Sequence, residues 1–188
     1  MNEYSCLITA PAKLPGGTYF LTQVTHHRQL WLITDIARLV LRTAITHVRQ
    51  KYPFTIDTFV LISDHFHCLW TLPEGDSDLS TRLRLIKTFV TKKYGSQLGI
   101  NAEISTFRQK RLERNLWQRR FWEHLIRDDR DFAKHCDYIH YNPVRYQLCL
   151  TPQAWQFSTI HRFINQGIYP PNWGMIEIPE MLNSIWDM

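Results

Sequence analysis

The feature that most constrains the fold is a pair of strand-forming runs separated by only two residues. The first run spans Phe54 to Ile62 and the second spans His65 to Leu72, with Ser63 and Asp64 between them. Both runs are rich in β-branched and aromatic residues, which favour strands, and so short a connection is typical of a β-hairpin. The sequence therefore predicts two antiparallel neighbouring strands between residues 54 and 72.

Two further strands and three helices are predicted around this hairpin. The strands are expected at 18–25 and 120–127, and the helices at 35–51, 79–94 and 128–142. Acidic residues at the start of the third helix suit the positive end of the helix dipole. We expect Pro143 to end that helix, because the residue before a proline is pushed out of the helical region.

The order strand–helix–strand–strand–helix–strand–helix predicts an α+β fold with one antiparallel sheet and helices mainly on one face, of the ferredoxin-like kind. A chain of 188 residues is long enough for one good core. We expect an irregular lead-in at 1–17, a folded domain at 18–150, and a tail at 151–188 that packs on or extends the domain. Residues 95–114 are polar and basic and favour no particular element.

Basic residues are concentrated in two segments of a chain whose formal net charge is +5. Such clustering favours a polyanionic partner, and it indicates a surface that follows a phosphate backbone. The candidate DNA-binding residues are Arg82, Arg84, Lys87, Arg111, Arg114, Arg119 and Arg120.

Several other classes of protein are disfavoured by what the sequence contains. No apolar run approaches the roughly 18–20 residues of a membrane span, and no signal peptide is evident. The four cysteines form no CxxC pair. There is no GxxxxGK phosphate loop, and the spacing of the aspartates does not suggest a carboxylate cluster for two-metal nuclease chemistry. We expect a cytoplasmic protein that makes no contact with a membrane.

The second strand of the hairpin begins with two histidines around a phenylalanine, His65-Phe66-His67. Side chains alternate across a sheet, so both histidines point to one face and Phe66 points to the other. Two imidazoles whose Cα atoms lie about 7 Å apart can bind one divalent ion. Alone, this pattern is also typical of two histidines without a shared function.

The third predicted helix carries a second group of candidate residues, Tyr138 and Asn142. Residues four apart on a helix share a face, so these two side chains project together. The amide oxygen of Asn142 is a suitable third ligand for a hard divalent ion, and Tyr138 offers a phenolic nucleophile beside it. The other interpretation is an aromatic helix packed on the sheet, with Asn142 at its end.

Taken together and in order, these motifs resemble those of the single-tyrosine HUH transposases, a family named for two histidines around a bulky hydrophobic residue. More narrowly, the chain resembles the REP-associated tyrosine transposases, bacterial relatives of insertion-sequence transposases. The resemblance runs from about residue 16 to residue 173, and it is carried by matching stretches at 16–18, 65–67, 70–76, 120–124, 142–145 and 155–159. The chain departs from the family where a glycine commonly follows the Asn-Pro-Val-basic run, because here that run continues as Tyr146-Gln147-Leu148.

The resemblance implies an HUH endonuclease fold and a metal-assisted reaction on DNA. His65, His67 and Asn142 are expected to hold Mg²⁺ or Mn²⁺, and this donor set suits Mn²⁺ somewhat better. Tyr138 is expected to attack a phosphate of single-stranded DNA that carries a hairpin of the REP type, leaving a 5′-phosphotyrosine. The relatives act as monomers or homodimers, and both states are compatible with the sequence.

Two rival functions remain open at this point. A domesticated protein could bind hairpin DNA on the same scaffold with little or no strand transfer. A metal-dependent hydrolase could use His65 and His67 with water as the nucleophile, and replacing Tyr138 would then leave activity intact.

Overall fold

The computed structural model describes residues 14–95 and 116–175. The described residues form a four-stranded sheet, three long helices, one short helix and two 3₁₀ turns. In chain order the strands and helices are β1 (Thr18–Val24), α1 (Asp35–Lys51), β2 (Thr55–Leu61), β3 (His65–Thr71), α2 (Leu79–Tyr94), β4 (Trp122–Leu125), α3 (Asp129–Arg145) and α4 (Ile160–Asn165). Every strand and long helix predicted from the sequence is present, with ends that differ by a few residues.

The sheet is antiparallel throughout, in the order β2-β3-β1-β4. The predicted hairpin is the β2–β3 pair, closed by a hydrogen bond from the Ile62 amide to the His65 carbonyl at 2.8 Å. This arrangement confirms the α+β antiparallel class. Strand β3 lies between β2 and β1, so its two histidines are covered by neighbouring strands on both sides.

Alternation along β3 divides the core into two clusters. Phe66, Cys68 and Trp70 face α1 and α2, whose buried positions include Leu41 and Leu83. The other face of the sheet, which carries Phe20, Val60 and Leu69, packs on α3 and α4 through Cys136, Ile139, Ile160 and Phe163. Two of the three long helices therefore share one face, in line with the expectation, and α3 covers the other.

Pro143 lies inside α3, so the prediction that it ends the helix is wrong. The helix continues to Arg145, and the Tyr146 amide donates to the Asn142 carbonyl at 3.0 Å. A proline near a helix end removes only one hydrogen bond, here the one that would reach the carbonyl four residues earlier. The extra turn carries Arg145 and Tyr146 to the same end of the sheet as His65.

The described part of the C-terminal segment packs against the domain. The Leu61 amide donates to the Phe157 carbonyl, and the Thr159 amide donates to the Phe59 carbonyl, both at 2.9 Å. These bonds cover part of the free edge of β2, which would otherwise expose unpaired backbone groups. Within 14–95 and 116–175, no helix combines the length and the apolar composition that a membrane span requires.

Candidate active site

His65 and His67 lie on the face of β3 that is covered by α3. Both are buried, and their ring centroids are 4.7 Å apart. Strand β1 places Val24 opposite His65 and Thr22 opposite His67. The expected common orientation of the two histidines is therefore present.

Each histidine is oriented by a hydrogen bond to one ring nitrogen. The Nδ1 of His65 lies 2.6 Å from Oδ1 of Asp64, and the Nδ1 of His67 lies 2.7 Å from Oγ1 of Thr22. Arg28 donates to the other oxygen of Asp64 at 3.0 Å. In both rings Nε2 is buried and has no hydrogen-bond partner among the described residues. A histidine held through one nitrogen with the other left free is the arrangement that metal sites use.

Asn142 and Tyr138 are brought to these histidines by α3. The Tyr138 ring centroid lies 5.2 Å from that of His67, in an edge-to-face arrangement, and Phe20 contacts both rings. Asn142 is fully buried, and neither its oxygen nor its nitrogen makes a hydrogen bond of normal geometry within the described part of the chain. An unpaired buried polar group costs about 1–3 kcal/mol, so three such residues in one place indicate a ligand that satisfies them.

The electrostatic environment keeps His67 neutral, because complete burial lowers its pKa well below the usual value and the positive charges of Arg145 and Arg28 act in the same direction. Burial would raise the pKa of Asp64, but hydrogen bonds from His65 and Arg28 outweigh it, so the net pKa is lowered and the carboxylate is charged. His67 is thus a neutral imidazole with a free Nε2, the form that binds a divalent cation. The charged carboxylate of Asp64 lies behind the other histidine, His65.

Burial also raises the pKa of the Tyr138 phenol, so the residue is protonated at neutral pH. Two nearby groups oppose this effect, the guanidinium of Arg145 and the amide of Asn142. The Cζ of Arg145 lies 5.7 Å from the Tyr138 ring centroid. Among the described residues, Arg145 is therefore the cation best placed to stabilise a phenolate as it forms.

The turn after α3 explains how the chain tolerates the missing glycine. The Leu148 amide donates to the Pro143 carbonyl at 2.9 Å, and the Gln147 amide donates to the Val144 carbonyl at 2.8 Å. This pair of bonds is a Schellman motif, which requires a left-handed residue at the position that Gln147 occupies with φ of 57°. The exit turn thus keeps the geometry that glycine favours.

A second polar cluster lies near the start of α3, where Asp131 meets His124 of β4 and His135. The His124 Nε2 lies 2.8 Å from Asp131 Oδ2, and the Arg127 Nε donates to the same oxygen at 3.0 Å. Ligand atoms of His124, Asp131 and His135 lie within 4.8 Å of one another, so the cluster has the residue types of a metal site. However, the Asp131 carboxylate is already hydrogen-bonded to Arg127. A metal ion at this cluster would have to displace that arginine.

The predicted DNA-binding residues differ in how far they are exposed to solvent. Arg82 is 1% exposed, and its guanidinium donates to the Pro53 and Asp78 carbonyls and to Asp76, so its assignment to a DNA surface is wrong. Its long side chain links the helix start to neighbouring loops instead of reaching solvent. Arg84, Arg119 and Arg120 are exposed, Lys87 donates to the Gln118 and Arg119 carbonyls, and Arg111 and Arg114 lie outside the described residues.

Sequence reasoning missed the residues that support the histidines. Asp64 directly precedes His65 in the hairpin turn, and this adjacency could have identified it. The role of Thr22 can be recognised only once the register of β1 against β3 is known. Arg28 lies in a 3₁₀ turn that has no recognisable sequence pattern.

Known proteins of similar sequence and structure identify the family of this chain. Residues 16–142 match the family described as Transposase IS200 like. A REP-associated tyrosine transposase of Escherichia coli (strain K12) is 39% identical over 160 residues, which cover 85% of this chain and 86% of the relative. A relative from Haemophilus influenzae is 39% identical over 159 residues, covering 85% and 88% of the two chains.

A solved structure of a REP-associated tyrosine transposase bound to a REP hairpin superposes with a TM-score of 0.71 at 37% identity, covering 92% of this chain and 91% of the other. Both the sequence and the arrangement of the sheet and helices are thus shared over most of the chain. The chain belongs to the IS200-like transposase family and, within it, to the REP-associated tyrosine transposases.

Proposed function

We propose that this protein cleaves and rejoins single-stranded DNA bearing a REP-like hairpin, with Tyr138 as the nucleophile. The observation that carries the proposal is that His65 and His67 lie beside Tyr138, with Asn142 one helical turn further along the same helix. All three candidate ligands are buried, and each has a side-chain polar atom without a hydrogen-bond partner among the described residues. The relative solved with a REP hairpin supports the choice of substrate.

The donor set fits a divalent cation. The free Nε2 atoms of His65 and His67 and the amide oxygen of Asn142 would hold Mg²⁺ or Mn²⁺, and nitrogen donors favour Mn²⁺ of the two. A bound ion would withdraw charge from the scissile phosphate and fix its orientation. Asp64 and Thr22 hold the two rings in the orientation that leaves these atoms free.

Tyr138 attacks phosphorus in the proposed step, and the bond from phosphorus to the 3′ oxygen breaks. The phenol loses its proton to solvent, the 3′ oxygen leaves as a hydroxyl, and the 5′ end stays attached to the tyrosine. Arg145 stabilises the negative charge that develops on the phenol oxygen. Because one phosphoester replaces another, the reverse attack by a 3′-hydroxyl rejoins the strand without an external energy source.

Exposed arginines near the same end of the sheet support binding of the hairpin backbone. The Gln118 amide donates to the Val24 carbonyl, and Val24 lies opposite His65. This bond places Arg119 and Arg120 near the end of the sheet that holds the histidines. Both residues are exposed, as phosphate contacts require.

The test uses labelled hairpin oligonucleotides from repeats flanking the gene, incubated with Mn²⁺ or Mg²⁺ and run on a denaturing gel. We expect a band shifted by the mass of the protein, which requires metal and disappears in Tyr138→Phe and in His67→Ala. Tyr141→Phe is the matched control, because Tyr141 lies on the same helix but is buried against Trp173.

The same gel distinguishes the rival functions. Hairpin binding without any shifted band under either metal would leave a DNA-binding protein on a transposase scaffold. Cleavage that persists in Tyr138→Phe and leaves no attached protein would identify a hydrolase with water as the nucleophile. Loss of the band in Tyr141→Phe as well would mean that damage to α3, not loss of the nucleophile, explains the Tyr138 result.

A further inference from the structure

Tyr146 is a large aromatic residue placed at the mouth of the candidate site. It is 45% exposed, and its ring centroid lies 5.1 Å from that of buried His65, with the rings inclined at 58°. Its amide donates to the carbonyl of Asn142, one of the candidate metal ligands. Tyr146 therefore contacts the site through both its ring and its backbone amide, while much of its side chain is exposed to solvent.

Two arginines flank this tyrosine. The side chain of Arg28 is 56% exposed and forms an ion pair with Asp64. The pKa of Arg28 is raised, mainly by the hydrogen bond to Asp64 and further by the nearby Tyr146 phenol. Arg145 precedes Tyr146 and lies over the Tyr138 ring. The mouth of the site thus combines one exposed aromatic ring with two positive charges.

We propose that Tyr146, Arg28 and Arg145 form a nucleotide subsite for the unpaired DNA next to the phosphate that is cut. In this subsite the Tyr146 ring stacks on a base, and the two guanidiniums neutralise the adjoining phosphates. The inference rests on the proposed function, because it takes the position of the cut from Tyr138 and the two histidines.

Single-stranded DNA is the occupant that this chemistry fits best. Nonspecific binding of single strands combines a positively charged groove with aromatic rings, because every base has a face that can stack. An apolar partner would gain nothing from the two guanidiniums, and a lone phosphate would leave the exposed ring unused. Hairpin DNA also carries unpaired nucleotides that can be splayed onto a ring.

Binding is measured in the Tyr138→Phe background, so that no covalent product interferes. Hairpin oligonucleotides with an abasic residue at each unpaired position in turn are titrated by fluorescence anisotropy at fixed salt with Mn²⁺. We expect the abasic residue at the stacked position to weaken binding roughly 5- to 150-fold, the range for stacking on one aromatic side chain. Tyr146→Ala should weaken binding of the intact oligonucleotide to a similar extent, and the abasic penalty should then vanish.

Tyr146→Phe keeps the ring and should keep most of the affinity together with the abasic penalty. Replacing Arg28 or Arg145 by glutamine should reduce the slope of log affinity against log salt by about one each. Thermal unfolding of each variant shows whether its fold is as stable as that of the parent.

The inference is overturned if Tyr146→Ala binds the intact oligonucleotide as tightly as its parent. It is also overturned if binding weakens but every abasic penalty persists, since the loss would then come from the turn and not from stacking. Failure of the proposed function looks different, because the native protein would then form no metal-dependent covalent band, whether or not the Tyr138→Phe parent binds the hairpin. If the parent and Tyr146→Ala bind the hairpin equally well, only the proposed subsite is refuted.

Discussion

The Oγ1 of Thr22 lies 2.7 Å from the Nδ1 of His67 across the β1–β3 ladder, so a hydroxyl on one strand orients a candidate metal ligand on the next. His67 stacks on Phe20 and is otherwise enclosed, which leaves its Nε2 as the one ring nitrogen without a described partner. Among the described residues, Thr22 therefore makes the one hydrogen bond that fixes which nitrogen of the ring is free.

Replacing that threonine should weaken metal binding without changing the fold. Outer partners of metal-bound histidines typically contribute 10- to 100-fold in affinity, so Thr22→Val should lower the affinity for Mn²⁺ by roughly that factor. Titration of the protein with Mn²⁺, followed by electron paramagnetic resonance without DNA, measures the change. Thr22→Ser, which keeps the hydroxyl, should bind like the native protein, and equal affinity in Thr22→Val would show that the hydroxyl has no such role.

The exit turn of α3 should become more stable when Gln147 is replaced by glycine. A left-handed conformation costs a residue with a Cβ about 1–2 kcal/mol, and part of the gain is lost because glycine is more flexible in the unfolded chain. Gln147→Gly should therefore raise the free energy of unfolding by about 0.5–1 kcal/mol, measured by urea denaturation. Gln147→Ala is the control and should give no gain, and a destabilised glycine variant would contradict the assignment of the turn.

The ion pair between Asp131 and its neighbours should contribute stability that depends on pH. The pKa of Asp131 is lowered in the folded state, because bonds from Arg127 and His124 outweigh the effect of burial. A lowered folded pKa gives stability that is fully present above the unfolded pKa of about 3.9 and is lost as pH falls towards the folded value. Stability should therefore decline below about pH 4 for this reason.

Asp131→Asn tests this dependence directly. The variant should lose about 1–3 kcal/mol near neutral pH, less than a fully buried pair would contribute because the Arg127 side chain is 73% exposed. The difference in unfolding free energy between native protein and variant should shrink as pH is lowered from 6 to about 3. A difference that stays constant over that range would show that charge is not the cause.

Arg82 and Arg84 provide a matched pair on α2 that separates a structural arginine from a surface one. Arg82→Ala leaves three acceptors without their donor, so we expect a loss of about 2–4 kcal/mol in unfolding free energy. Arg84→Ala should stay within about 0.5 kcal/mol of the native protein, since Arg84 is exposed. Chemical denaturation of both variants measures the contrast, and equal stability would refute the structural role of Arg82.

Much of the fold follows from local patterns in the sequence. The two-residue connection at Ser63 and Asp64 was enough to predict the β2–β3 hairpin, and alternation was enough to place His65 and His67 on one face. The spacing of four between Tyr138 and Asn142 was enough to place both on one side of α3, and Tyr138 contacts His67 from that side. These features depend on backbone periodicity, which nearby residues determine by themselves.

The tertiary structure decided the features that depend on distant parts of the chain. Arg82 was a candidate DNA contact from its sequence, but it is buried in the folded protein. Helix α3 continues past Pro143, and the added residues place Arg145 and Tyr146 at the site. Thr22 acquired its contact with His67 from the register of β1 against β3. Charge, composition and periodicity describe a residue and its neighbours along the chain, whereas burial and hydrogen bonding depend on which distant segments fill the space around it.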